Sequence, residues 1–115
     1  MVNIYDTANQ LQTDLRQIKE YKELQAAFAA LKEDKEAYAV FQELRKAQDE
    51  LQKRQQDGSL ADIKPEEAKK MHEIGQKAAS FDAVKRLMEK ERALSVVVDD
   101  IEQALFKPIT ELYES

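Results

Sequence analysis

Toward the C-terminal end of this chain, Val84, Leu87 or Met88, Leu94, Val98, Ile101 and Leu105 advance in steps of three and four, interrupted only at Glu91, with neither Gly nor Pro before Pro108. Such stepping keeps apolar side chains on one side of an α-helix for about 36 Å at ~1.5 Å per residue. A row of that length needs cover. Widened by Val96, Val97 and Ala104, it predicts a helix over 81–106 that touches two neighbours, either at the centre of a bundle or at a subunit interface.

The rest of the chain also carries helical spacing. Ile4, Ala8, Leu11, Leu15 and Ile18 start an amphipathic helix near residue 3, and the next row is Tyr21, Leu24, Phe28 and Leu31. The step from Ile18 to Tyr21 is a three where a four is due, so the apolar side rotates and a break near 19–21 is expected: two helices, or one bent one, over 3–32. Asp34 stands where an N-cap carboxylate would accept a free amide. The third helix then runs through Tyr38, Phe41, Leu44, Gln48, Leu51 and Gln55, apolar at its start and polar at its end. Gly58 suits the left-handed residue that closes a helix, and 58–64 is a loop that Leu60 and Ile63 are expected to pin to the bundle. Pro65 fits the first turn of a fourth helix, with Glu66 and Glu67 at the positive end of its dipole. That helix has a weak row of Ala68, Met71, Ile74 or Gly75, and Ala78, so it is expected to be the least securely buried. Ser80 is read as the cap of the fifth helix, and Pro108 as a kink or restart before Ile109 and Leu112.

Only two Gly and two Pro occur in 115 residues, which leaves almost no means of making β-hairpins. The expected fold is all-α: an elongated antiparallel helical bundle of about four to five helices with a long C-terminal helix, forming a single helical domain over 1–115. Fifteen of the apolar residues are Ala, which packs closely but buries little area, so the core of one copy is thin. A homo-oligomer is therefore expected, a dimer or higher. Its interface residues are read as Leu11 and Leu15 on the first helix with Leu94, Val97, Val98, Ile101 and Leu105 on the fifth.

Chemistry is largely excluded by residue type. The absence of Cys removes disulfides, thiolate metal sites, iron–sulfur ligation and cysteine nucleophiles together. The single histidine, His72, has Lys69 where a carboxylate-bridged di-iron site would need Glu, and reads as an exposed helix residue. Asp99 and Asp100 diverge by about 100° around a helix and do not face each other. Glu66 and Glu67 are explained by the helix start. Ser59, Ser80, Ser95 and Ser115 have no nucleophile motif around them, and two Gly cannot build a phosphate-cradling loop. No enzyme, cofactor or metal is expected. A hydrolase would require a pocket of convergent polar groups between helices.

The net charge of −5 disfavours attraction to nucleic acid or anionic lipid. It divides unevenly, −3 over 1–63, +2 over 64–92 and −4 over 93–115. The densest basic stretch, Lys85, Arg86, Lys90 and Arg92, is interleaved with Glu89 and Glu91 and has no aromatic stacking platform. It is a face for an unidentified protein partner or, in a rival reading, for RNA as an accessory factor binding through 85–92; nucleic acid is not the expected partner. No apolar run approaches the ~18 residues of a membrane span, and residues 1–6 lack the basic and apolar regions of a signal peptide. The expected location is the cytoplasm.

Several segments, taken in order, carry a family resemblance. They are Met1-Val2-Asn3-Ile4-Tyr5-Asp6-Thr7-Ala8-Asn9, Glu20-Tyr21-Lys22-Glu23-Leu24, Phe41-Gln42-Glu43-Leu44-Arg45, Lys85-Arg86-Leu87-Met88-Glu89 and Lys107-Pro108-Ile109-Thr110-Glu111-Leu112-Tyr113. Together they resemble the YheA/YmcA-like, YlbF-related family of small bacterial helical proteins over nearly the whole chain. The resemblance implies a self-associating helical bundle in a bacterial cytoplasm, acting as a non-enzymatic accessory protein in complexes that affect competence, biofilm formation, sporulation and RNA processing. YlbF and YmcA carry cysteines associated with an iron–sulfur cofactor. This chain has none, so it resembles the YheA branch, and no cofactor residue is carried over.

Overall fold

The computed structural model describes residues 2–58 and 63–114, so the readings placed on Ser59, Leu60 and Ser115 lie outside the described residues. Five helices follow one another: α1 (Ile4–Leu15), α2 (Lys19–Glu33), α3 (Lys35–Asp57), α4 (Pro65–Ala79) and α5 (Asp82–Glu114). No strand occurs among the described residues, and the C-terminal helix is the longest at 33 residues. The fold is all-α.

Local chemistry explains most boundaries. Asn3 caps α1, its Oδ1 accepting from the amides of Tyr5 at 3.1 Å and Asp6 at 3.3 Å. The slip in apolar phase is resolved by a break at 16–18, slightly before the expected 19–21, where the Gln17 amide turns back to the Asp14 carbonyl at 2.9 Å. Asp34 receives the Ala37 amide at 3.1 Å and starts α3. Asp34→Ala leaves that amide unmet and is expected to lower stability by about 1 kcal/mol, read from the midpoint of urea unfolding. Gly58 closes α3 at φ 84°, a conformation that costs a Cβ-bearing residue energy through its own backbone. Pro65 opens α4 ahead of Glu66 and Glu67.

Two local expectations need correction. Ser80 does not cap α5. Its hydroxyl donates to the Lys77 carbonyl at 2.6 Å, an acceptor that its own backbone amide also reaches at 3.2 Å, so it serves the end of α4, and α5 starts two residues later. Of the kink or restart expected at Pro108, the restart does not occur, because α5 continues through it to Glu114. Proline removes one rung of the ladder, but in an exposed stretch water can satisfy the freed carbonyl, and Ile109 and Leu112 keep the helical spacing.

The chain falls into two compact units. One comprises 28–87: the end of α2, all of α3 and α4, and the first residues of α5. Its core consists of Leu31, Ala37, Val40, Phe41, Ala78, Val84 and Leu87. At the α2–α3 corner, Phe28 meets Tyr38 edge to face at 6.2 Å and Phe41 at 6.3 Å, while Lys32 Nζ lies 4.8 Å from the centre of the Phe28 ring. The α3–α4 hairpin is held by half-buried Leu51, Ile63, Met71 and Ile74 and by an ion pair from Arg54 to Glu67. That hydrogen bond to Glu67, reinforced by the same carboxylate's charge, raises the Arg54 guanidinium above its ordinary range.

The other unit comprises 1–27 and 88–115. Within it Lys90 on α5 reaches Glu23 on α2 at 3.4 Å, and Lys19 approaches the same carboxylate at 3.8 Å. Ala27 is the buried apolar residue of its described part, and no residue of α1 is fully buried.

Candidate functional site

Two surfaces offer themselves, one in each unit. In the first unit a cleft of about 540 Å³ lies between α3 and α4. Ala47, Leu51, Ile63, Met71 and Ile74 supply its apolar lining, and three acids, Glu43, Glu50 and Glu67, are balanced by Lys46, Arg54 and Lys70. Arg54 and Glu67 engage each other, and among the described residues neither Ser nor His lines the cleft. His72 is exposed, Ser80 donates to backbone, and no group of three or more His, Asp or Glu able to hold a metal ion occurs among the described residues. Among the described residues the cleft therefore brings together no Ser–His nucleophile and base pair.

The second surface is apolar and belongs to α1 and the distal part of α5. On the N-terminal side Val2 is 85% exposed, Tyr5 78% and Ile4 64%; on α5, Tyr113 reaches 85% and Leu105 64%, with Leu11, Phe106, Ile109 and Leu112 also exposed. At roughly 100 Å² for each such side chain, the nine residues together expose on the order of 900 Å², divided between the N-terminal segment and distal α5. A standard interface takes about 800 Å² from each partner.

The residues read from the sequence as interface divide between cover and exposure. Leu15, Leu94, Val97, Val98 and Ile101 are half-buried within their unit, while Leu11 and Leu105 are open to solvent. Phe106, Ile109 and Tyr113 are exposed on the same helix and were not among the residues read as interface. Their spacing of three and four was the available signal. Of the basic stretch, Lys85 and Arg86 are exposed on the first unit, Arg92 is exposed on the second, and Lys90 is engaged by Glu23. No described helix is long and apolar enough to cross a membrane.

Comparison with known proteins agrees with this architecture. Residues 4–110 match the family model described as "Control of competence regulator ComK, YlbF/YmcA". A "UPF0342 protein" of Ligilactobacillus salivarius (strain UCC118) is 46% identical, the match covering 99% of this chain and 97% of that protein. One from Pediococcus pentosaceus is 42% identical, covering 99% and 98%. Another from Staphylococcus aureus (strain Newman) is 37% identical, covering 97% and 96%. Among solved structures, "Protein of Unknown Function (DUF964) from Bacillus stearothermophilus" superposes with a TM-score of 0.82 at 27% identity, covering 97% of this chain and 96% of that one. With a match spanning nearly its whole length and relatives well above 30% identity, this chain belongs to the YlbF/YmcA family of competence-regulator control proteins.

Proposed function

We propose that this chain is a non-enzymatic accessory protein of the bacterial cytoplasm that works by association, first with further copies of itself and through them with a regulatory protein partner. The observation that carries the reading is the run of large apolar side chains left in water on α1 and distal α5, among them Ile4, Tyr5, Leu105, Phe106, Ile109, Leu112 and Tyr113. Leu11, Leu15, Leu94, Val97, Val98, Ile101 and Leu105 supply the row along which copies meet, with Tyr5, Phe106, Ile109 and Tyr113 extending it. The family's description as a control of a competence regulator supports a role in regulation.

Binding of RNA through Lys85, Arg86, Lys90 and Arg92 draws less support, since Lys90 is already held by Glu23 and the chain is acidic overall. Light scattering on the purified chain at micromolar concentration tests the main reading: a mass of two or more chains is expected, and a monomer refutes it. In an RNA titration at low salt no binding is expected. Salt-sensitive binding lost on reversing those four charges would move the function to the rival class.

A further inference from the structure

We infer that the cleft between α3 and α4 is a binding site for a small zwitterion with an apolar side chain, an α-amino acid such as phenylalanine, held by Glu50 from one wall and Lys70 from the other. The cleft lies within the unit 28–87, and its volume of about 540 Å³ falls in the ~300–1,000 Å³ range of ordinary small-molecule sites. The Arg54–Glu67 pair ties the two helices together near their turn and fixes which residues stand level. Counted back from Arg54 along α3 and forward from Glu67 along α4, at ~1.5 Å per residue, Glu50 stands ~6 Å along the cleft and Lys70 ~4.5 Å. Leu51 and Met71, both half-buried, fall at the same level, with Ala47 and Ile74 beyond them.

A carboxylate and an ammonium thus flank one stretch of apolar lining. Both are exposed, and no ion pair reaches Glu50 or Lys70 among the described residues. Glu50 adds to the negative charge around Arg54, one turn away, but that guanidinium is hydrogen-bonded to Glu67. Glu43 and Lys46, farther from the turn, bring one charge of each sign and leave the balance unchanged.

The two signs select the occupant. An apolar anion drawn by Lys70 is opposed by Glu50, and an apolar amine drawn by Glu50 is opposed by Lys70. A zwitterion satisfies both, its ammonium meeting the Glu50 carboxylate and its carboxylate the Lys70 ammonium, while its side chain leaves water for Leu51, Met71 and Ile74. Met71 favours an aromatic side chain, because a thioether adapts its shape and packs well against a ring.

Methyl-labelled methionine gives a direct reading, since Met71 lines the cleft and Met88 does not. In proton–carbon NMR of the purified chain, phenylalanine is expected to move the Met71 methyl resonance upfield and saturably, through the field of its ring, and to leave Met88 in place. Phenylpropionate, which lacks the ammonium, and phenethylamine, which lacks the carboxylate, are expected to bind about threefold more weakly, the loss that one exposed charge contact supplies. Glu50→Gln is expected to weaken phenylalanine about threefold without weakening phenylpropionate, and Lys70→Gln to weaken phenylalanine equally without weakening phenethylamine. A Met71 resonance that phenylalanine does not move overturns the inference. So do equal affinities for the three compounds, or for wild type and both variants, which would make the cleft an indiscriminate apolar surface. A Met71 resonance that moves with protein concentration alone would give the cleft to a second copy and overturn it as well.

Discussion

Leu31→Ala is expected to lower the free energy of unfolding by about 3 kcal/mol, within the ~2–5 kcal/mol typical of a buried Leu truncated to Ala. Leu31 has no exposed surface and belongs to a unit whose other buried residues include three small ones, Ala37, Ala78 and Val84. Few large side chains are available to move into the space. The loss combines apolar surface no longer removed from water with a cavity that helices fixed by the Asp34 cap and the Phe28 aromatic contacts can only partly close. Against a domain stability of roughly 5–15 kcal/mol, one such truncation is a large fraction of the total. Urea unfolding at fixed protein concentration reads it as a lower midpoint with an unchanged slope. Leu31→Met, which conserves volume, should cost less than about 1.5 kcal/mol, and equal effects of the two substitutions would contradict the packing argument.

The second large effect concerns association. Leu105 and Phe106 are 64% and 54% exposed, so replacing both with Asp removes almost nothing from the core of one copy. Each new carboxylate would have to be dehydrated for copies to meet, at a cost of several kcal/mol per charge. Leu105→Asp combined with Phe106→Asp is therefore expected to weaken self-association at least about 100-fold, leaving one chain at concentrations where the wild type associates. Light scattering gives the mass, and far-ultraviolet circular dichroism is expected to show the helical content kept. Unchanged mass would place the interface elsewhere on the molecule. The double variant is also the right background for Leu31→Ala, because association stabilises the folded chain by mass action and would mask part of a core defect.

Much of the helical layout was readable residue by residue, since short-range chemistry sets helix ends. Asp34, Gly58 and Pro65 each act within three or four residues of themselves, and each sits where its side chain or backbone freedom demands. Ser80 was misread, and the restart at Pro108 did not occur, because each residue has two local uses. A hydroxyl after a helix can serve the carbonyls behind it as readily as the amides ahead, and proline breaks a helix only when neighbouring contacts do not hold the rest in line.

For the candidate surface, the sequence by itself determined that apolar rows exist on the first and last helices, that no thiol chemistry is available and that the helices must find partners. Periodicity states which residues share a side of a helix, and composition states which reactions lack a reagent. Only the tertiary structure decided which of those rows are covered within one chain. Val84 and Leu87 are buried and Leu94 to Ile101 half-covered, while Leu105, Phe106, Ile109 and Tyr113 stay in water. The physical reason is that burial depends on what lies opposite, a property of the packed elements, and a repeat of three and four reads the same whether or not another helix covers it.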